Sequence, residues 1–308
     1  MTPKALSHHE RVTLRVYRPW AMGWYRWGLY QNGQALRACP QTMISSNSHM
    51  PYVPTREFDT SPVTKTIAGR CVFGGVFYTH FGHFLTETLI SLAQIASLAD
   101  DYDHIICLAS PNETKGHLPD YVMWFLSELG IDPKKIIVAH ESLELEGMDL
   151  PPSPFIRKAR YDGSVVEVIN TLSMFDVPYH GQKLYVSRRN VDAKRQRLMN
   201  GDALEALFVE HGYRAIIPEG MPLKEQIPLL LGASALAGEN GSGLHWSLLS
   251  PHIKTVFSLG WHLPLQHGIC AARQQTYVNV RAPWLGPFLP RKQTVPMRYA
   301  RRVLENAM

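Results

Sequence analysis

The sequence predicts an α/β protein made of two successive α/β units, and three observations carry that prediction. From residue 71 onward, short apolar runs alternate with amphipathic segments in βαβα order, which argues for a parallel sheet covered by helices. Pro151-Pro152-Ser153-Pro154 interrupts this order, and a second unit of similar size follows it. The motifs rich in Gly, Arg and His fall on strand-to-helix turns, the place where open α/β sheets bind ligands.

Residues 1–70 form a β-rich front segment. The alternation over 12–17 reads as a half-buried strand, and Asn32-Gly33 between Leu29-Tyr30 and Ala35-Leu36 reads as a hairpin. Residues 47–54 read as loop. A strand is expected over 70–77, then a helix over 82–98 and a buried strand over 104–109. A helix over 118–129 stops at Gly130 and Asp132-Pro133, before a strand over 135–139. Beyond the Pro-rich boundary the pattern gives a helix over 163–175, a strand over 183–187, a helix over 202–211 and a strand over 214–217. A helix over 223–232, a short strand over 235–238, a helix over 242–249 and a strand over 255–259 follow. The expected domains are 1–155, 156–290 and a basic tail, 291–308, ending in a helix.

Composition excludes several classes. Of 308 residues, 45% are hydrophobic and 19% charged, so the chain is neither disordered nor fibrous. The net charge of +5 is mild and its Lys and Arg are spread along the chain, so no nucleic-acid partner is expected. That balance suits anionic small molecules or an anionic membrane surface. The four cysteines, Cys39, Cys71, Cys107 and Cys270, form no CxxC pair, which removes zinc-ribbon and thioredoxin-type motifs and leaves free thiols as the expectation. The N-terminus lacks the apolar run of a signal peptide, and the apolar stretch around 227–237 is too short to span a bilayer. A soluble, cytoplasmic protein is expected.

Four motifs carry candidate chemistry. Gly238-Glu239-Asn240-Gly241-Ser242-Gly243-Leu244-His245 follows a strand and opens a helix, where glycines and unpaired amides suit a phosphate. It also reads as a turn needed only for strand–helix packing. In Lys183-Leu184-Tyr185-Val186-Ser187-Arg188-Arg189-Asn190 a buried strand ends in two guanidiniums able to clamp a diphosphate, with Arg195 and Arg197 extending the field. The alternative is a solvated basic loop. In YTHFGHFLTETL, 78–89, His83 and Glu87 share a helix face four residues apart, with His80 and Gly82 beside them. A carboxylate can orient an imidazole, and either group can take a proton from an alcohol. A capped amphipathic helix with a satisfied histidine is the other reading. No third ligand lies at short range, so no metal is expected. Glu219, ending the strand of Ile217-Pro218-Glu219, can receive ribose hydroxyls or simply cap a surface helix.

LYVSRRN, the helix with Asn200 and Leu204, Gly212-Tyr213, IIPE and LKEQIPLLLGASALAGENGSGLHWSLL together resemble the C-terminal half of glycosyltransferase family 61. YTHFGHFLTETL resembles the histidine-and-acid helix of that family's N-terminal half. The resemblance spans roughly 70–260. It implies a GT-B type architecture, two Rossmann-like domains across a central cleft, with the acceptor side N-terminal and the nucleotide-sugar side C-terminal. It implies inverting transfer from a nucleotide diphosphate sugar, with no obligatory metal or other cofactor. By position, Arg188 and Arg189 would hold the diphosphate and the Gly241-Ser242-Gly243 turn would offer it amides. Glu219 would lie near the nucleoside, and His83 or Glu87 would act as base or orienter on the acceptor side. The family's glycine turn reads His-Gly-Ala-Gly-Leu-Thr-Asn. Here Asn240 replaces the His, Ser242 the Ala, His245 the Thr and Trp246 the Asn, so the histidine's role would fall to Asn240 or His245.

The expected function is therefore transfer of a sugar to a saccharide hydroxyl in bacterial polysaccharide or capsule synthesis. The acceptor would be a free or lipid-linked glycan, and the tail with Arg291, Lys292, Arg298, Arg301 and Arg302 would be able to rest peripherally on the inner membrane. Two rivals are an inactive scaffold of this type that binds nucleotide or glycan, and a hydrolase or phosphorylase of sugar phosphates.

Overall fold

The computed structural model describes residues 6–17, 26–36, 63, 65–110, 118–152, 161, 163–192, 196, 198–281 and 293–307. The 47–54 loop, the boundary at 155/156, Cys39, Arg195, Arg197, Arg291 and Lys292 lie outside them. The chain divides into two compact units, Met1–Val168 and Ile169–Met308.

The first unit holds a seven-stranded sheet. Its strands are β1 (Ser7–Tyr17), β2 (Arg26–Gln31), β3 (Gln34–Ala35), β4 (Thr66–Phe77), β5 (His104–Ala109), β6 (Ile136–Ala139) and β7 (Leu143–Leu150), in the order β3-β2-β1-β7-β4-β5-β6. The β7-β4-β5-β6 part is parallel, and β1 runs antiparallel to both β2 and β7. The β-rich front thus extends the parallel sheet. Asn32 and Gly33, at φ +50° and +73°, supply two left-handed positions, as a type I′ turn requires, in the expected hairpin. Strand β7 has no counterpart among the expected elements. Its Leu-Glu-Leu-Glu alternation changes phase at Gly147, which breaks the period-two signal of a strand before Met148 and Leu150.

Register between β4 and β5 slips between Phe73 and Gly75. A Cβ on Gly74 would stand 2.6 Å from Ile105 and 2.7 Å from Cys107 Sγ, and Gly75 has φ +84°. Only glycines let the strand bulge here, and the bulge re-aims its carboxyl end. The expected 82–98 helix follows as α1 (Phe81–His83), a π-helical turn (Phe84–Thr88), α2 (Leu89–Ile95) and a 3-10 turn (Ala96–Asp101). Phe84, Leu85, Leu89, Ile90 and Leu92 seal it into the core. Helix α3 (Asp120–Glu128) ends with Gly130 at φ +67°, where the Ile131 amide donates to the Leu126 carbonyl at 2.9 Å. Helix α4 (Ser164–Asn170) straddles the division between units.

The second unit is a five-stranded, wholly parallel sheet of β8 (Lys183–Val186), β9 (Tyr213–Ile216), β10 (Ala235–Glu239), β11 (Thr255–Leu259) and β12 (Thr276–Val280), in the order β12-β11-β10-β8-β9. Its helices are α5 (Gly201–Glu210), α6 (Leu223–Leu231), α7 (Pro264–Ala272) and α8 (Met297–Asn306). Tyr185, Phe208, Tyr213 and Phe257 cluster with Ala300 and Leu304 of α8 in one core. The segment expected as a helix over 242–249 is a 3-10 turn, Ser242–Leu248. Helix α7 and strand β12 were not expected. Gly268 interrupts the apolar stripe of α7, and the turn into β12 places Gln274, not Gly or Asn, at φ +56°. Among the described cysteines, Cys71, Cys107 and Cys270 are buried thiols. Burial pushes the Cys71 thiol up to about 11 and Cys270 to about 12, which makes both poor nucleophiles. No described helix is long and apolar enough to cross a membrane.

Candidate functional site

In an open parallel sheet a crevice forms where strand order reverses. Each unit has such a point, and some of the candidate residues lie there.

In the first unit the chain steps from β4 to β5 to β6, then returns to lay β7 on the other side of β4. Strand β4 ends there and delivers Tyr78, Thr79 and His80 to the helix. The Thr88 hydroxyl accepts from the Tyr78 amide at 2.8 Å and donates to the Val76 carbonyl at 2.9 Å, tying strand end to π turn. Within this frame His83 Nδ1 lies 2.7 Å from Glu87 Oε1. The Glu87 side chain is 5% exposed and that of His83 33%. The carboxylate accepts, so Nδ1 carries the proton, and Nε2 keeps its lone pair, with no partner among the described residues. Tyr78 stacks on the imidazole at 4.9 Å and His80 meets its edge at 5.6 Å. The Tyr78 hydroxyl is buried without a hydrogen-bond partner among the described residues. Burial, then the Glu87 charge, raises its pKa well above the ordinary tyrosine value, so it stays protonated. Tyr161 responds to burial and Glu87 in the same way, and its hydroxyl donates to the Thr86 carbonyl at 3.2 Å. Gly82 is buried, and its carbonyl accepts from Thr86 Oγ1 at 2.8 Å.

In the second unit β8 leads to β9 on one side, and the chain then crosses back to place β10 on the other. The reversal lies between β8 and β10, where Arg188 and the glycine turn meet. Arg188 Nε stands 3.3 Å from Glu239 Oε2, and a Cβ on Gly241 would lie 2.5 Å from Arg188 Nη1. Gly238 and Gly243 are also required, since a Cβ there would stand 2.8 Å from the Val186 carbonyl and 2.6 Å from Val186 Cγ1. The turn's first bond runs from the Leu244 amide to the Gly241 carbonyl, after the amides of Ser242 and Gly243.

The other expected residues take different places. Arg189 turns to α5, where it pairs with Glu205 and lies 3.9 Å from Asp202. Asn240 is a buried strut: its amide donates to the Trp261 carbonyl and its Oδ1 accepts from Ser258. His245 is buried with Nδ1 3.0 Å from Gln266 Oε1. Glu219 stands exposed in the 3-10 turn after β9, on the far side of β8 from β10. The motif reading missed Glu239. This buried carboxylate holds Arg188 and also accepts from the Leu198 amide at 3.3 Å. Its signal was a charged residue inside an otherwise small, apolar strand end.

The molecule is thus an α/β protein with polar clusters at strand-order reversals. A family model, Glycosyltransferase 61, matches residues 81–257, more than half of the chain, including His83, Glu87, Arg188 and the glycine turn. The chain belongs to glycosyltransferase family 61; it is a glycosyltransferase, with a sugar donor and an acceptor as its partners. No curated protein matches it.

Proposed function

We propose that the protein is an inverting, metal-independent transferase of GT-B type, moving a sugar from a nucleotide diphosphate donor to a hydroxyl of a bacterial glycan. The observation that carries this reading is the meeting of Arg188 with the glycine turn where β8 and β10 diverge. A guanidinium and backbone amides at such a point suit a diphosphate. The second unit then binds the donor, and the first presents the base.

His83 Nε2 takes the acceptor hydroxyl proton, and the oxygen attacks the anomeric carbon. The bond from that carbon to the phosphate oxygen breaks, and its electron pair leaves on the diphosphate. Arg188 and the amides of the Gly241–Gly243 turn stabilise the growing charge, and losing one such donor typically costs ~10²–10³ in rate. Glu87 orients His83 through the bond at Nδ1. A carboxylate buried behind an imidazole is badly placed as a nucleophile, which supports one displacement with inversion. The exposed Arg298 and Arg302 of α8 support peripheral contact with anionic lipid, at roughly 1 kcal/mol per charge.

A second reading, a scaffold that binds nucleotide without turnover, draws on Asn240 and His245, both engaged within the second unit. The test is thermal unfolding with nucleoside diphosphates and nucleotide sugars, with and without Mg²⁺, followed by product analysis. A ligand at 100 times its Kd adds about 2.7 kcal/mol. A selective, Mg²⁺-independent shift with sugar transfer supports the enzyme, and a shift without transfer to any glycan supports the scaffold. No shift with any nucleotide removes both.

A further inference from the structure

Two large apolar side chains in the second unit stand in water on firmly held backbone. Trp261 is 54% exposed and Met199 is 68% exposed. Trp261 follows Gly260, whose φ of +107° admits glycine readily and whose amide donates to the Val280 carbonyl at 3.0 Å. The Trp261 carbonyl accepts from the buried Asn240 amide. Met199 is held by its amide bond to the Gln293 carbonyl at 2.7 Å. The two segments meet at Gly260, where a Cβ would stand 3.4 Å from Gln293 Oε1 and 3.6 Å from Leu198 Cδ2.

Trp261 lies just past the carboxyl end of β11, one strand from the strand-order reversal, and Met199 lies on the segment that leads into α5. Contact is continuous from Arg188 to Gly241, through Asn240, to Trp261. The strands carrying Arg188 and Trp261 are two sheet spacings apart, roughly 10 Å. A ribose and a phosphate bridge such a gap. The backbone that carries the indole is already held, so only two side-chain torsions have to settle when a planar ring stacks on it.

We infer that Trp261 is the platform on which the base of the donor's nucleoside diphosphate stacks, with Met199 lining its edge. The inference rests on the diphosphate assignment to Arg188 and the glycine turn. It runs the nucleoside from β8 over β10 towards β11, away from Glu219 beyond β9.

Calorimetric titration with inorganic pyrophosphate and with UDP, GDP, ADP and dTDP tests it on the parent, Trp261→Ala, Trp261→Phe and Glu219→Ala. The parent should bind one nucleoside diphosphate more tightly than pyrophosphate. Trp261→Ala should weaken that nucleotide roughly 5- to 150-fold, the range for a base stacked on an aromatic ring. Its pyrophosphate affinity and melting temperature should not change, and Trp261→Phe should restore most of the loss. The platform is overturned if Trp261→Ala leaves the nucleotide unaffected, or weakens pyrophosphate equally. It is also overturned if Glu219→Ala alone removes the nucleoside's advantage. In these cases tight nucleotide binding by the parent leaves the donor reading standing. A parent that binds neither pyrophosphate nor any nucleotide ends both.

Discussion

The His83–Glu87 pair divides labour through unequal burial. The carboxylate is sealed behind the imidazole, so the two substitutions should behave differently. His83→Ala removes the proposed base and should lower kcat by ~10²–10⁴ with nucleotide affinity unchanged. Glu87→Gln keeps an oxygen that can accept from His83 Nδ1, so the imidazole stays oriented and its kcat should fall less. Equal, full activity in both variants would remove this helix from the chemistry. A parallel argument applies to Arg188 and Glu239. Glu239→Gln removes the carboxylate charge beside a guanidinium that is 19% exposed, so the cost should be roughly 1–3 kcal/mol, below that of a fully buried broken pair. Urea unfolding measures it, and an unchanged midpoint would show that the pair contributes nothing to stability.

At the level of elements, the glycines of β4 decide where its carboxyl end points. Gly74→Ala places a methyl against Ile105 and Cys107, and should destabilise by roughly 1–3 kcal/mol. Activity should fall further than stability alone explains, because the same bulge aims Tyr78 and His80. Activity per folded molecule, measured well below the melting temperature, separates the two effects. Most elements were legible because apolar period and glycine punctuation agreed, as at Asn32-Gly33 and Gly130. Strand β7 was hidden by its change of phase at Gly147, and β12 by a turn that uses Gln274 in place of glycine. The site was legible in part. The i, i+4 spacing of His83 and Glu87 is local and survives in the structure. The meeting of Arg188 with Gly241 could be read only as two strand-end motifs. Glu239 beneath them depends on strand order, which spacing along the chain does not encode.

For the molecule as a whole, buried acidic protons govern its response to alkali. Burial lifts Cys71 from 9.0 to about 11, Cys270 to about 12 and Tyr121 from 10.0 to about 12. Between pH 9 and 11 the unfolded chain gives up protons that the folded chain keeps, so stability falls as pH rises. Urea midpoints at pH 8 and 10.5 should differ in that direction, and equal midpoints would contradict it. The pairing of β1 with β7 acts on another timescale. His8 and Asp149, partners across it, are 141 residues apart. At a synthesis rate of ~5–20 residues per second, the first strand leaves the ribosome on the order of 10–30 s before its partner exists. During that interval one edge of β1 is an open template, and the nascent chain is a natural client for whatever shields unpaired strands.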